Sequence, residues 1–218
     1  MSRIIVFGGH GRIALLLAPL LVARGDEVTA IIRNPAHAAE VEQTGATPVV
    51  ADIEELDVAA LADLIRAHDA VVWSAGAGGG APQRTYAVDR DAAIRTMDAA
   101  EAAGVRRYVM VSWLGSTAEH GIPEDDGFFP YADAKWAADE YLRGTDLEGT
   151  ILAPGTLTLD SSTGRIELDP SDRGAVSRAD VAAVIAATLE ASPTIGRTIR
   201  FGNGTPESSE PIDVALAR

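Results

Sequence analysis

Short apolar runs alternate along this chain with longer stretches of helical spacing. Ile4-Ile5-Val6-Phe7 is typical of the first kind: β-branched and aromatic, four residues long, ending at glycine. Runs of this type predict strands at about 3–7, 27–32, 47–51, 70–74, 108–112, 150–153 and 198–201. Helical spacing predicts helices at about 12–24, 35–44, 57–67, 84–103 and 178–191, another starting near Tyr131, and a short one from about 209. Regular β–α alternation is the signature of a parallel sheet covered on both faces. The expected fold class is therefore α/β, a Rossmann-like doubly wound sheet in three α/β/α layers. Pro19 lies inside the first helix and removes one ladder donor, so a kink or an early end is expected there. The stretch 156–175 is mixed and polar and forms a small C-terminal region on the substrate side. The paired charges Arg90-Asp91 and Arg106-Arg107 read as solvated surface on helix faces.

The first strand meets the first helix through Gly8-Gly9-His10-Gly11-Arg12-Ile13-Ala14. Strand, tight glycine turn and helix form the setting in which such a motif binds a dinucleotide. A pyrophosphate must approach the backbone closely, which excludes Cβ atoms at Gly8 and Gly11. The free N–H groups and the positive end of the helix then face the negative charge. Ala14 fills the small position where helix packs on strand.

Composition narrows the possible chemistry. At 218 residues one domain, 1–218, is expected. The net charge of −14 argues against a nucleic-acid partner, which needs clustered Lys and Arg. With no cysteine there is no disulfide, thiolate nucleophile or thiolate metal site, and the four histidines lack metal-ligand spacing. The longest apolar run, 13–23, falls short of the ~20 residues of a spanning helix, and the first strand begins too early to leave room for a signal peptide. A cytoplasmic protein is expected, without a membrane partner, as a monomer or small homo-oligomer acting on a small molecule.

Strand two ends at Arg33, with no Asp or Glu in the place that would bind a ribose 2′-hydroxyl. Arg12 lies within the glycine turn. Two guanidinium groups near one ribose suit a 2′-phosphate, which favours NADP(H) over NAD(H). Asp52 closes strand three and suits either an adenine amino group or the cap of the next helix.

Tyr131-Ala132-Asp133-Ala134-Lys135 puts a phenol and an ammonium on one helix face, a turn apart. A phenol titrates near 10, and a neighbouring ammonium stabilises the phenolate and lowers that value, making an acid–base group. Lys135 is the only lysine among 18 cationic side chains, so a compact ammonium is wanted at this place. Ser112 ends strand five at the carboxyl edge of the sheet, where its hydroxyl suits a substrate carbonyl; Ser116 is a weaker candidate.

Taken together, these residues resemble the atypical short-chain dehydrogenase/reductases, in particular the small NAD(P)H-binding group related to NmrA-like proteins. The likeness rests on Gly8-x-x-Gly11-x-x-Ala14, Arg33, Asp52, Ser74-Ala75-Gly76 and the block 102–112, and on Tyr131-x-x-x-Lys135, Pro154-Gly155 and 177–182. The resemblance implies a seven-stranded parallel core and a nicotinamide cofactor. The cofactor would be held by Gly8, Gly9, His10, Gly11, Arg12, Ile13, Arg33, Asp52, Ser74, Ala75, Gly76, Lys135 and Pro154. It also implies that Tyr131 exchanges the proton, Lys135 tunes it and Ser112 orients the carbonyl. Ala153 stands where the family often has Arg before Pro-Gly, and the acidic stretch before Tyr131 is unusual.

The expected function is an NADP(H)-dependent oxidoreductase of a small carbonyl or related compound. Its pocket would be lined by 76–82, 113–130 and 155–166, with Phe128 and Phe129 either as an apolar wall or as loop anchors. The alternatives are a redox sensor that binds the cofactor without chemistry, and an epimerase or dehydratase that recycles it. Arg178 and Asp180 are expected to hold the late helix in place.

Overall fold

The computed structural model describes residues 1–79, 81–171 and 174–218. The chain opens with β1 (Arg3–Phe7), α1 (Arg12–Arg24) and β2 (Glu27–Ile32). A 3-10 turn over Pro35–His37 leads into α2 (Ala38–Gln43), then β3 (Thr47–Val50), α3 (Val58–Ile65) and β4 (Ala70–Trp73). The long amphipathic segment predicted next is three pieces: α4 (Pro82–Thr85), a π-helical turn over Tyr86–Ala92, and α5 (Ala93–Ala103). After β5 (Arg107–Val111) and a long loop come α6 (Phe129–Arg143) and β6 (Glu148–Pro154).

The polar stretch 156–175 contains three short strand segments that the hydrophobic pattern does not reveal: β7 (Thr156–Thr158), β8 (Arg165–Leu168) and the start of β9 (Ala175–Ser177). α7 (Arg178–Glu190), β10 (Thr198–Gly202), β11 (Glu210–Pro211) and α8 (Ile212–Leu216) complete the chain.

The main sheet runs β11-β8-β10-β6-β5-β4-β1-β2-β3, and β7 pairs with β9 apart from it. From β10 to β3 every neighbouring pair is parallel, the seven-stranded core that the resemblance implies; β8 and β11 add an antiparallel edge. α1 packs with α7 on one face and α3 with α5 on the other. Each face has its own apolar cluster: Leu17, Leu21, Val181 and Ile185 in the first, Leu61, Ile65, Met97 and Ala100 in the second. Chain order reverses between β1 and β4, so the turns after Phe7 and Trp73 open a crevice at the carboxyl ends of the strands.

One expectation is narrowed and another corrected. α1 runs over Arg12–Arg24, the predicted span, so the early end at Pro19 does not occur. Pro19 is on the exposed face, so water can serve the carbonyl of Leu15 that lacks its ladder donor. Arg107 is not solvated surface: its guanidinium donates to the carbonyls of Glu148 (2.6 Å) and Thr188 (2.7 Å) and to the hydroxyls of Thr150 and Thr194. Burial pulls it down to about 10. It ties the start of β5 to β6 and to the end of α7.

Candidate cofactor and active site

The crevice has two lobes that share Ser74, Ala75 and Gly76. The first, about 320 Å³, is also lined by Gly8, His10, Gly11, Arg33 and Asp52. The second, about 430 Å³, is also lined by Ile13, Ser112, Tyr131 and Lys135.

The glycine turn is shaped first by the sheet itself. Gly8 has φ +82°, and a Cβ there would lie 2.6 Å from the Cα of Ala75. A Cβ on Gly9 would lie 2.6 Å from that of Ala30. These glycines let the turn pass between β2 and the end of β4, before any ligand is considered. Gly11 then caps α1, with no side-chain cap and no acid in the first turn. The first-turn N–H groups therefore point toward the crevice mouth with their positive end uncompensated, which suits a pyrophosphate.

Around the first lobe, Arg33 donates to Glu54 Oε1 at 3.0 Å, and Arg84 reaches the same oxygen at 3.2 Å. Asp52 Oδ1 accepts from the Glu54 amide at 3.0 Å, so Asp52 shapes this loop and also lines the lobe. The rings of His10 and His37 stack at 3.6 Å, and His10 Nε2 lies 2.7 Å from Glu40. These residues fit the adenosine end of a dinucleotide, with acceptors, donors and a stacked face in one concave site. Three of the residues assigned to the cofactor line neither lobe. Gly9 donates its amide to Ile31, Pro154 is buried in β6 with its carbonyl accepting from Leu114, and Arg12 is exposed with no bonded partner among the described residues.

In the second lobe, Tyr131, Lys135 and Asp139 follow one another at single-turn spacing on α6. Lys135 is 1% exposed, and its Nζ donates to the Val111 carbonyl at 2.7 Å and lies 3.4 Å from Met110 Sδ. Burial pulls its ammonium below the usual lysine value, and the carboxylates of Asp139 and Asp89 oppose that fall. Asp139 is wholly buried, and the hydroxyls of Ser112 (2.5 Å) and Ser116 (2.6 Å) both donate to its Oδ2. Asp89, 2% exposed, leaves the π-helical turn to accept from the Ala77 amide at 3.0 Å and lines the lobe. Burial pushes both aspartates above the usual carboxylate range.

This setting reverses one expectation and redirects another. The phenol of Tyr131 is held above its ordinary value, not below it, by burial and by the charges of Asp89 and Asp139. Ser112 donates its hydroxyl hydrogen bond to Asp139 instead of into the open lobe. Asp89, Asp139 and Glu54 escaped the reading of the sequence. Asp139 was within reach, because it extends the 131, 135 spacing by one more turn. Asp89 was hidden by the π-helical turn, which shifts the helical phase, and Glu54 by the irregular loop after β3.

Comparison with known proteins agrees with this geometry. Residues 8–192 match the model of the NAD(P)H-binding family. The chain is 31% identical over 215 residues to a protein of Bacillus subtilis named as an uncharacterized sugar epimerase, covering 96% of this chain and 98% of that one. A solved structure from Bacillus halodurans, described as a putative NAD-dependent epimerase/dehydratase, superimposes with a TM-score of 0.89 at 33% identity, over 99% of both chains. The oxidoreductase ylbE of Lactococcus lactis superimposes with a TM-score of 0.85 at 28% identity, over 98% of this chain and 94% of that one. With a family match over most of its length and the glycine turn at the switch point of a Rossmann sheet, the chain belongs to the NAD(P)H-binding family, among the oxidoreductase- and epimerase-like Rossmann proteins related to NmrA.

Proposed function

We propose that the protein is an NADP(H)-dependent oxidoreductase that reduces a small carbonyl compound, with Tyr131 as the proton donor. The observation that carries this reading is the placement of Tyr131 and Lys135 in a lobe joined to the glycine-turn lobe through residues 74–76. Bound there, the cofactor would supply hydride to the carbonyl carbon.

The chain's own groups handle the proton. Tyr131, raised and therefore protonated at neutral pH, donates its hydroxyl proton to the carbonyl oxygen as negative charge develops there. The Lys135 ammonium steadies the phenolate left behind. Asp139 decides what Ser112 can do. While ionised, it accepts the hydrogen bond that the Ser112 hydroxyl donates. Once protonated, which its raised value favours, it donates to Ser112 and leaves that hydroxyl free to bond the carbonyl oxygen.

The preference for NADP(H) rests on Arg33 in the first lobe. The 2′-phosphate would draw this guanidinium away from Glu54, an exchange that costs little, because exposed ion pairs contribute at most about 1 kcal/mol. A fluorescence titration with NADPH and NADH, repeated with Arg33→Ala, tests the site. Tighter binding of NADPH that is lost in the variant is the expected result. Equal binding of both by the native protein would overturn the preference. An epimerase would turn over substrate with no net consumption of NADPH, so absorbance at the nicotinamide band during turnover separates the two chemistries.

A further inference from the structure

The second lobe is lined in part by segments whose charge is all of one sign. The loop 113–130 carries Glu119, Glu124, Asp125 and Asp126 with no Lys or Arg, and 155–164 carries Asp160 and no cation. Asp126 holds the lobe edge itself, with its Oδ1 accepting from the Phe128 amide at 2.8 Å. Asp89 lines the floor.

Apart from Arg12, which lines neither lobe, the cations nearest in sequence are already committed. Lys135 Nζ is bonded to Val111. Arg178 donates to the carbonyls of Leu157 and Thr158, Arg165 to Ser209, and Arg84 to Ala77 and Glu54. Among the described residues no guanidinium is left in this lobe to pair with a phosphate or a carboxylate.

What the lobe offers is an aromatic wall. Phe128, 42% exposed, stands edge-on to Trp113 at 5.1 Å and beside Tyr131 at 5.1 Å, and Leu157 lies on the lining as well. Phe129 instead packs against His120 at 5.4 Å and is absent from the lining, so only the first of the two phenylalanines meets a ligand.

We infer that this lobe selects its substrate by charge: it takes an apolar carbonyl compound that is neutral or cationic, and rejects one bearing a carboxylate or phosphate. The physical reason is twofold. An anion entering the lobe loses hydration and meets a single cation, the Lys135 ammonium, whose charge is already balanced by Asp139 and Asp89, and it approaches through the field of the acidic loop. A neutral or cationic apolar body meets the ring wall and pays neither cost. This inference rests on the proposed carbonyl reductase reading and deepens it, and it sets the chain apart from an enzyme of nucleotide-linked sugars, whose substrate carries a diphosphate.

The test uses three para-substituted benzaldehydes of similar size: 4-isopropyl (neutral), 4-trimethylammonio (cationic) and 4-carboxy (anionic). Dissociation constants for the native protein saturated with NADP⁺ are read by ligand-observed NMR, and turnover with NADPH is read separately. Binding of the neutral and cationic probes at least tenfold tighter than the anionic one is expected. In the E124Q/D125N/D126N variant the gap should narrow several-fold, most of all at low salt. Anionic binding as tight as neutral binding, or no binding of any probe, would overturn the charge selection. Selective binding with no reduction of any of the three would leave the selection standing and count against the reductase reading alone.

Discussion

Tyr131 sits in a setting that keeps its phenol protonated. Its phenol titrates above the unperturbed value of 10.0, so it stays protonated through the neutral range and can donate in reduction. Tyr131→Phe should lower carbonyl reduction by about 10²-fold or more while leaving the NADPH dissociation constant nearly unchanged. Steady-state rates beside a fluorescence titration check both halves. The pH dependence follows from the sign of the shift. The donating form is lost only as pH rises through the raised value, so reductive kcat/KM should not fall on account of Tyr131 below about pH 10. In the alkaline range Asp139 is ionised and its charge holds the phenol up, so in Asp139→Asn the falling limb should move to lower pH. A pH–rate profile that is unmoved in this variant would disconnect Asp139 from the phenol. At the other lobe, Glu54→Gln frees Arg33 from its carboxylate partner. NADPH should then bind a few-fold tighter and NADH no tighter, since the pair contributes at most about 1 kcal/mol. Equal gains for both cofactors would show that Arg33 does not meet the 2′-phosphate.

At the scale of elements, the hydrophobic pattern was enough to locate the seven parallel strands and their helices, because buried parallel strands are short continuous apolar runs with glycine or polar ends. It failed where structure depends on partners distant in sequence. β7 pairs with β9 and β8 with β10, and β7, β8 and β9 are three- or four-residue strands whose alternation is too brief to read. The π-helical turn at Tyr86–Ala92 leaves no mark in a period-3.6 pattern, yet it delivers Asp89 to the lobe. Asp180 ties these late elements together, much as expected for the end of the chain. It is fully buried and accepts from Ser162, Ser177 and Asn203 side chains and from the Thr163 and Gly164 amides. Burial pushes its carboxyl up, but these hydrogen bonds outweigh that and hold it below 3.8. Its contribution is therefore present at neutral pH and is lost as pH falls below 3.8 through the lowered folded value. Asp180→Ala leaves several buried donors unmet and should cost roughly 3 kcal/mol in urea unfolding at pH 7, with the deficit shrinking in strong acid. Pro19→Ala is the opposite case. It restores a ladder hydrogen bond on an exposed face and should stabilise by about 1–3 kcal/mol, and a loss of stability would show that α1 needs the proline.

Across the whole molecule, the cofactor crevice lies where the two apolar clusters meet at one end of a single sheet, between β1 with its α1 on one side and β4 with the π-helical turn on the other. A ligand there touches segments anchored in both clusters, so its binding free energy should stabilise the sheet as a unit. We take residues 1–218 to unfold as one domain, and the linkage is then quantitative. At a free NADPH concentration 100 times its dissociation constant the stabilisation is about 2.7 kcal/mol. For a chain of this length each 1 kcal/mol moves Tm by about 2–4 °C, so a rise of about 5–10 °C in one calorimetric transition is expected. NADH at the same concentration should give a smaller rise, and with Arg33→Ala the two cofactors should give equal ones. Two transitions, only one of them moved by NADPH, would divide the chain into separate folding units. A single transition that neither cofactor moves would remove the dinucleotide from the crevice, and with it the proton chemistry assigned to Tyr131.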